Sequence, residues 1–157
     1  MTMTILRAAS AAALLIGASA FGNAAFAGEC PAGKIGVNAT PPGPSEPKGV
    51  TDTVLATTDL SKEMVALSDH QFRLRRLEIQ PGGVVPWHSH GDRPAMIYIV
   101  SGEVTEYASN CAVPILHKAG DVAPERHVTA HWWQNNGKQA AVLISVDILH
   151  DQTDMNM

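Results

Sequence analysis

A chain of 157 residues with 11 Lys+Arg against 15 Asp+Glu and a formal net charge of −4 is one domain long. It lacks the basic footprint that nucleic-acid binders need. Beyond Ala27 no run is apolar enough to span a bilayer as a helix, and no cluster of Lys and Arg marks a membrane-surface patch.

The chain opens with one basic residue, Arg7, then a small and apolar run from Ala8 to Ala20, then Ala25-Phe26-Ala27. Charged, apolar and small-residue regions in that order read as a secretory signal peptide over residues 1–27. Cleavage after Ala27 gives a periplasmic or secreted product starting at Gly28. A membrane anchor fits less well, because the run is rich in Ala and Gly and broken by Asn23, whereas a spanning helix takes about 20 strongly apolar residues. A lipid anchor on Cys30 fits less well because Glu29 stands where a small residue is needed.

Residues 28–50 carry Pro31, Pro41, Pro42, Pro44 and Pro47 among glycines. Such a stretch holds neither a helix nor a central strand and reads as an extended arm. Cys30 and Cys111 are the two cysteines, and in an oxidising compartment a pair is expected to form a disulfide; two reduced thiols are the alternative. Closing a loop of about 80 residues contributes on the order of 4 kcal/mol on the chain-entropy account, and it would pin the arm to the body.

From Thr51 to the end, short runs of Val, Ile, Leu and aromatics alternate with turn residues, the pattern of a sandwich or barrel. The strands expected are 53–56, 71–80, 84–87, 95–100, 103–107, 112–117, 121–123, 129–134 and 139–149. Turns fall at Pro81-Gly82-Gly83, Ser101-Gly102, Ala119-Gly120-Asp121 and Asn135-Asn136-Gly137, the last holding the hairpin signal Asn-Gly. In the final strand Val142, Ile144, Val146 and Ile148 share one face, and Leu143, Ser145, Asp147 and Leu149 the other. One wholly apolar and one mixed face suit a barrel wall with a partly polar lumen. The fold class expected is all-β.

The chemistry centres on His88-Ser89-His90 at the end of the run Val84-Val85-Pro86-Trp87. Residues i and i+2 of an extended chain point the same way, so both imidazoles face one side. Alone, an H-x-H is a weak signal. Here Gly82 precedes it and Gly102 follows Ile97-Tyr98-Ile99-Val100-Ser101; further on come Gly120-Asp121 and His131-Trp132-Trp133-Gln134-Asn135. In these intervals the sequence resembles the cupins, over about Leu74 to Leu149. The resemblance implies a jelly-roll barrel (a double-stranded β-helix) with one metal ion inside on His88, His90 and His131.

Two departures from that family matter. Its Glu ligand falls at Ala95, which binds no metal, and Arg126-His127-Val128 stands where its second motif has Pro-x-Gly. Three imidazoles without a carboxylate leave the shell neutral and up to three octahedral positions open. Imidazole suits Fe, Cu, Zn or Ni rather than Ca or Mg; Mn also belongs on the list of divalent candidates. The thiol dioxygenases, cupins that resemble this chain in lacking the Glu, are three-His iron enzymes.

Around that centre, His127 reads as a fourth ligand, an acid or base, or a solvated loop residue. Arg93, two before Ala95, either faces inward and holds a substrate carboxylate bidentately or lies on the rim paired with Asp92. Trp87, Tyr98, Trp132 and Trp133 read as core, with Trp133 in phase with His131 and a candidate ligand contact. His127 and Asp147 are the candidate proton shuttles. His70, His117 and His150, beside turns or the terminus, read as surface residues.

Two function classes follow. One is a metalloenzyme (an oxygenase, isomerase or lyase) acting on a small, anionic organic acid; the other is a non-enzymatic periplasmic protein that binds or stores metal or a small ligand. A degenerate cupin that keeps only the fold is a third, disfavoured by the intact His131 and Asn135. Family habit further implies a homodimer.

Overall fold

The computed structural model describes residues 28–150. The signal-peptide reading, which falls on residues 1–27, lies outside them. Eight strands follow in chain order: β1 Lys48–Asp59, β2 His70–Ser89, β3 Ala95–Ser101, β4 Glu103–Ala108, β5 Ile115–Lys118, β6 Val122–Glu125, β7 Ala130–Gln134 and β8 Ala141–His150. Leu60–Lys62 forms a short 3-10 turn capped by Asp59. Among the described residues there is no α-helix.

All pairings are antiparallel, in the order β5-β4-β7-β2-β8-β3-β6, with β1 added along β2. The sheet rolls into a nearly closed barrel, the jelly roll expected from the motifs. Strict alternation of side chains sets what fills the lumen. On β3, Ala95, Ile97 and Ile99 point in while Met96, Tyr98 and Val100 stay exposed; on β8, Leu143, Ser145, Asp147 and Leu149 point in. The mixed face of β8 is thus the lumen face. Leu77, Ile79, Ile99, Val104 and Leu143 form one apolar layer, each buried side chain worth about 1.5–3 kcal/mol. Tyr98, read as core, is on the outside.

Strand β2 departs most from expectation. Pro81-Gly82-Gly83 is not a turn between two strands but an irregularity inside one strand of 20 residues. Residues before it pair with β1 and β8, and residues after it pair with β7, with Lys48 of β1 still paired to Val84. The strand changes partners at a corner, which needs a local kink of the bulge type. Gly82 supplies it with φ +74, and its N–H donates to the Asn135 carbonyl at 2.8 Å. Buried Asn135 braces the same corner, its Nδ2 donating to the Ile79 and Gln139 carbonyls and its Oδ1 accepting from the Gly137 N–H.

The arm is laced to the barrel. Cys30 and Cys111 form a disulfide, Ile35 bridges Cys111, and the Gly36 and Ala39 N–H groups donate to the Asn110 and Ser109 carbonyls. Its last residues, 48–50, already belong to β1, an exposed edge strand where a Pro-rich approach costs no central ladder bond.

Candidate metal centre

His88 and His90 end β2, and His131 lies opposite, paired in register with His88. All three face the lumen, with exposures of 9%, 1% and 0%. Their Nε2 atoms converge: 3.2 Å between His88 and His90, 3.0 Å between His90 and His131, 3.1 Å between His131 and His88. Each Nδ1 is held from behind. His88 Nδ1 donates to the Pro86 carbonyl at 2.8 Å, His90 Nδ1 to the Arg93 carbonyl at 2.7 Å, and His131 Nδ1 to Glu106 Oε1 at 2.7 Å. With Nδ1 as the donor, every Nε2 presents a lone pair to one point.

These residues fit a transition-metal ion. Donors on one face of an octahedron with bonds of about 2.1 Å stand about 3.0 Å apart, and those of a tetrahedron about 3.4 Å. The observed 3.0–3.2 Å lies nearer the octahedral spacing, and an ion held by these three residues would keep further positions open to other ligands. Ala95, where a carboxylate ligand is absent, lies in register between inward Glu125 on β6 and Asp147 on β8.

Electrostatics separate the three histidines. Burial, then the charge of His131, holds His88 at about 2; burial, then the same charge, holds His90 at about 3. Burial pushes His131 down too, but Glu125 and its bond to Glu106 outweigh this and raise it. Burial would lift Glu106, yet hydrogen bonds from His117 and His131 overcome that and keep it ionised at about 2. Glu125 is pushed up to about 7, first by burial.

The carboxylate layer behind His131 is what sequence reading missed. Glu106 accepts from His117 Nε2 at 2.9 Å on one oxygen and from His131 on the other, and Glu125 Oε2 lies 3.5 Å from His131 Nδ1. His117, read as a surface residue, is fully buried and stacks on Trp133 with ring centroids 4.7 Å apart. The signal was parity: Glu106 is in phase with Val104 and Ala108, His117 with Ile115, and Glu125 with Ala123.

The other candidates are distributed as follows. Arg93 is inside, not on the rim; its charge lowers His88, His90 and His131, while Asp92 faces His150 at 3.6 Å. Trp133 is buried beside the centre, its indole N–H against the His131 ring, 3.1 Å from Nδ1 and 3.4 Å from Nε2. Asp147 is buried in an ionic network: Arg73 grips it with Nε at 3.0 Å and Nη2 at 2.7 Å, and Arg75 Nη2 lies 3.1 Å away. Arg75 reaches on to Asp52 and Ser145. His127 is exposed and belongs to neither metal-capable cluster among the described residues.

Two cavities flank the centre. One of about 20 Å³, lined by Arg75, Val85, His88, His90 and Trp133 among others, has room for a water-sized molecule. The other, of about 160 Å³, lies beneath the arm and is lined by Gly28, Cys30, Glu106, Glu125 and Thr129 among others.

A family model described as a cupin domain matches residues 75–147. No curated protein matches the sequence. Solved structures similar to this one include a Klebsiella pneumoniae protein with a double-stranded beta-helix domain, at 22% identity and TM-score 0.51, covering 69% of this chain and 82% of that one. KdgF from Halomonas sp. is similar at 17% identity and TM-score 0.51, covering 67% and 84%. The Cnp3 cupin domain of Schizosaccharomyces pombe is similar at 17% identity and TM-score 0.51, covering 68% and 69%. Identities this low speak for the fold.

Proposed function

The chain belongs to the cupin superfamily, and from that premise we propose that it is an exported protein holding one divalent transition metal on His88, His90 and His131, where a small anionic molecule binds. The convergence of the three Nε2 atoms within 3.2 Å, each backed by a fixed Nδ1 acceptor, carries this reading. When bound, the ion supplies Lewis acidity and open coordination positions. The chain's own residues do the rest. Neutral imidazoles leave the ion's charge uncompensated, buried Arg93 adds positive potential, and both favour an anion. Trp133 and the apolar layer exclude water, and the Arg73–Asp147–Arg75 network fixes the wall beside His90. Asp147 so gripped is a positioning group rather than a proton carrier.

Catalysis on a small organic acid is one outcome of such a site. The second reading, a non-enzymatic metal or ligand binder, is favoured by the cavity of about 20 Å³ beside His88 and His90, which admits little more than water. Metal analysis of protein recovered after export tests the shared core. One equivalent of metal is expected in the wild type and in His127→Ala, and almost none in His88→Ala or His131→Ala. Full retention in either of the last two would sink the assignment. Turnover of a small acid by the loaded protein then decides between the readings.

We propose also that the working unit is a homodimer. Phe72, Met96 and Tyr98, 48%, 64% and 47% exposed, lie on the outer face of β2 and β3, the two strands that flank β8. Exposed apolar groups in such continuity commonly mark a protein interface. Light scattering is expected to give twice the monomer mass, and Met96→Lys with Tyr98→Lys is expected to halve it.

A further inference from the structure

The cavity beneath the arm is lined by acids and by the start of the described chain. Glu106 and Glu125 reach it from β4 and β6, and Gly28, Glu29 and Cys30 lie along it. Two polar atoms here are buried without a hydrogen-bond partner, Glu125 Oε1 and His117 Nδ1. His117 donates through Nε2 to Glu106, so its Nδ1 carries a lone pair and needs a donor. Buried acceptors left unmatched cost about 1–3 kcal/mol each, so a site with two of them calls for a ligand rich in N–H groups. Gly28 is packed against one of the two: a Cβ on it would come within 2.9 Å of His117 Nδ1 and 2.9 Å of the Val122 carbonyl oxygen. The Cys30–Cys111 disulfide, two residues on, fastens this segment to the β4–β5 connection.

We propose that removal of residues 1–27 turns Gly28 into a built-in cation for this cavity, its α-ammonium docking on His117 Nδ1, the Val122 carbonyl and Glu125. This rests on the export reading above. Hydrolysis of the Ala27–Gly28 amide by a leader peptidase consumes one water and leaves a carboxylate on Ala27 and an ammonium on Gly28. Before cleavage the Gly28 nitrogen is an amide with one N–H; afterwards it has three, directed from one atom, and a positive charge. Three donors then meet three acceptors. The charge lies beside two buried carboxylates behind His131, so leader removal completes the support of the metal-binding layer instead of merely trimming the chain.

Reactivity of the α-amine tests this in protein made with its leader and recovered after export. Peptide sequencing fixes the first residue, and mass spectrometry follows acetylation by an amine-reactive ester at neutral pH. The expected result is a first residue of Gly28 whose amine reacts at least tenfold more slowly than in the reduced, unfolded chain. Glu125→Gln, close to isosteric, is expected to restore several-fold of that rate. Gly28→Ala, whose Cβ collides with His117, is expected to restore nearly all of it. A Gly28 amine that reacts as fast folded as unfolded, or a rate indifferent to Glu125→Gln, would overturn the proposal. A first residue other than Gly28 would overturn it while leaving export intact, and an uncleaved chain would remove both.

Discussion

At the residue scale, the centre depends on groups that never touch the metal. Glu106 spans His117 and His131 and stays ionised between them. Its negative charge makes His131 a better donor and fixes its tautomer, as outer carboxylates do in other metal sites. Glu106→Gln removes the charge and presents an N–H to a nitrogen that is itself a donor. Metal affinity is expected to fall about 10- to 100-fold, read by competition with a chelator.

The histidines also differ in what protons do to them. His88 and His90 are held at about 2 and 3, so near neutrality they are already deprotonated and ready to bind. His131 is raised above its ordinary value, so it carries a proton that the metal must displace. The sign follows directly. Affinity is present above the His131 value and is lost as pH falls through it, with one proton released per ion on the acid side of that value rather than three. Calorimetry in buffers of different ionisation enthalpy is expected to show that single proton.

At the scale of elements, turns carry specific backbone demands. Gly102 joins β3 to β4 at φ +76, and a Cβ there would sit 2.8 Å from the Ala140 carbonyl and 2.9 Å from the Ala141 Cα. Gly102→Ala combines a left-handed backbone with a clash against main chain that cannot swing away. It is expected to cost about 1–3 kcal/mol, seen as a lower denaturant midpoint with unchanged slope.

The same elements show what was legible beforehand. Period-two alternation located β3, β4, β7 and β8 because each has one buried face and one more open to solvent. It failed at β2, where Pro81-Gly82-Gly83 has turn composition but the chain continues; only the change of partner from β8 to β7 explains the kink. The ligands were legible because His88, His90 and His131 resemble a known spacing. Glu106, Glu125 and His117 match no motif, and their meaning comes from β4, β5, β6 and β7 being brought together. Asp147 reads from sequence as a candidate proton shuttle, and its ion-pair partners, Arg73 and Arg75, are not legible there because they lie some 70 residues away on β2.

At the scale of the molecule, the arm and barrel are one unit by covalent and hydrogen-bonded ties. The disulfide closes a separation of 81 residues, worth about 4 kcal/mol on the chain-entropy account. Cys30→Ser with Cys111→Ser is expected to lower stability by about 2–5 kcal/mol in chemical denaturation. Limited proteolysis of that variant is expected to cut within residues 28–47 first, since that segment would keep few other covers.

The three facing imidazoles have one further consequence. Once His131 has lost its proton, their lone pairs meet at 3.0–3.2 Å with no hydrogen between them, so like partial charges are held together by the fold. The empty arrangement is electrostatically frustrated, and the rigid Nδ1 anchors prevent the rings from turning away. An ion converts that mutual repulsion into attraction without moving the backbone. Metal loading should therefore register as heat resistance rather than as a change of shape.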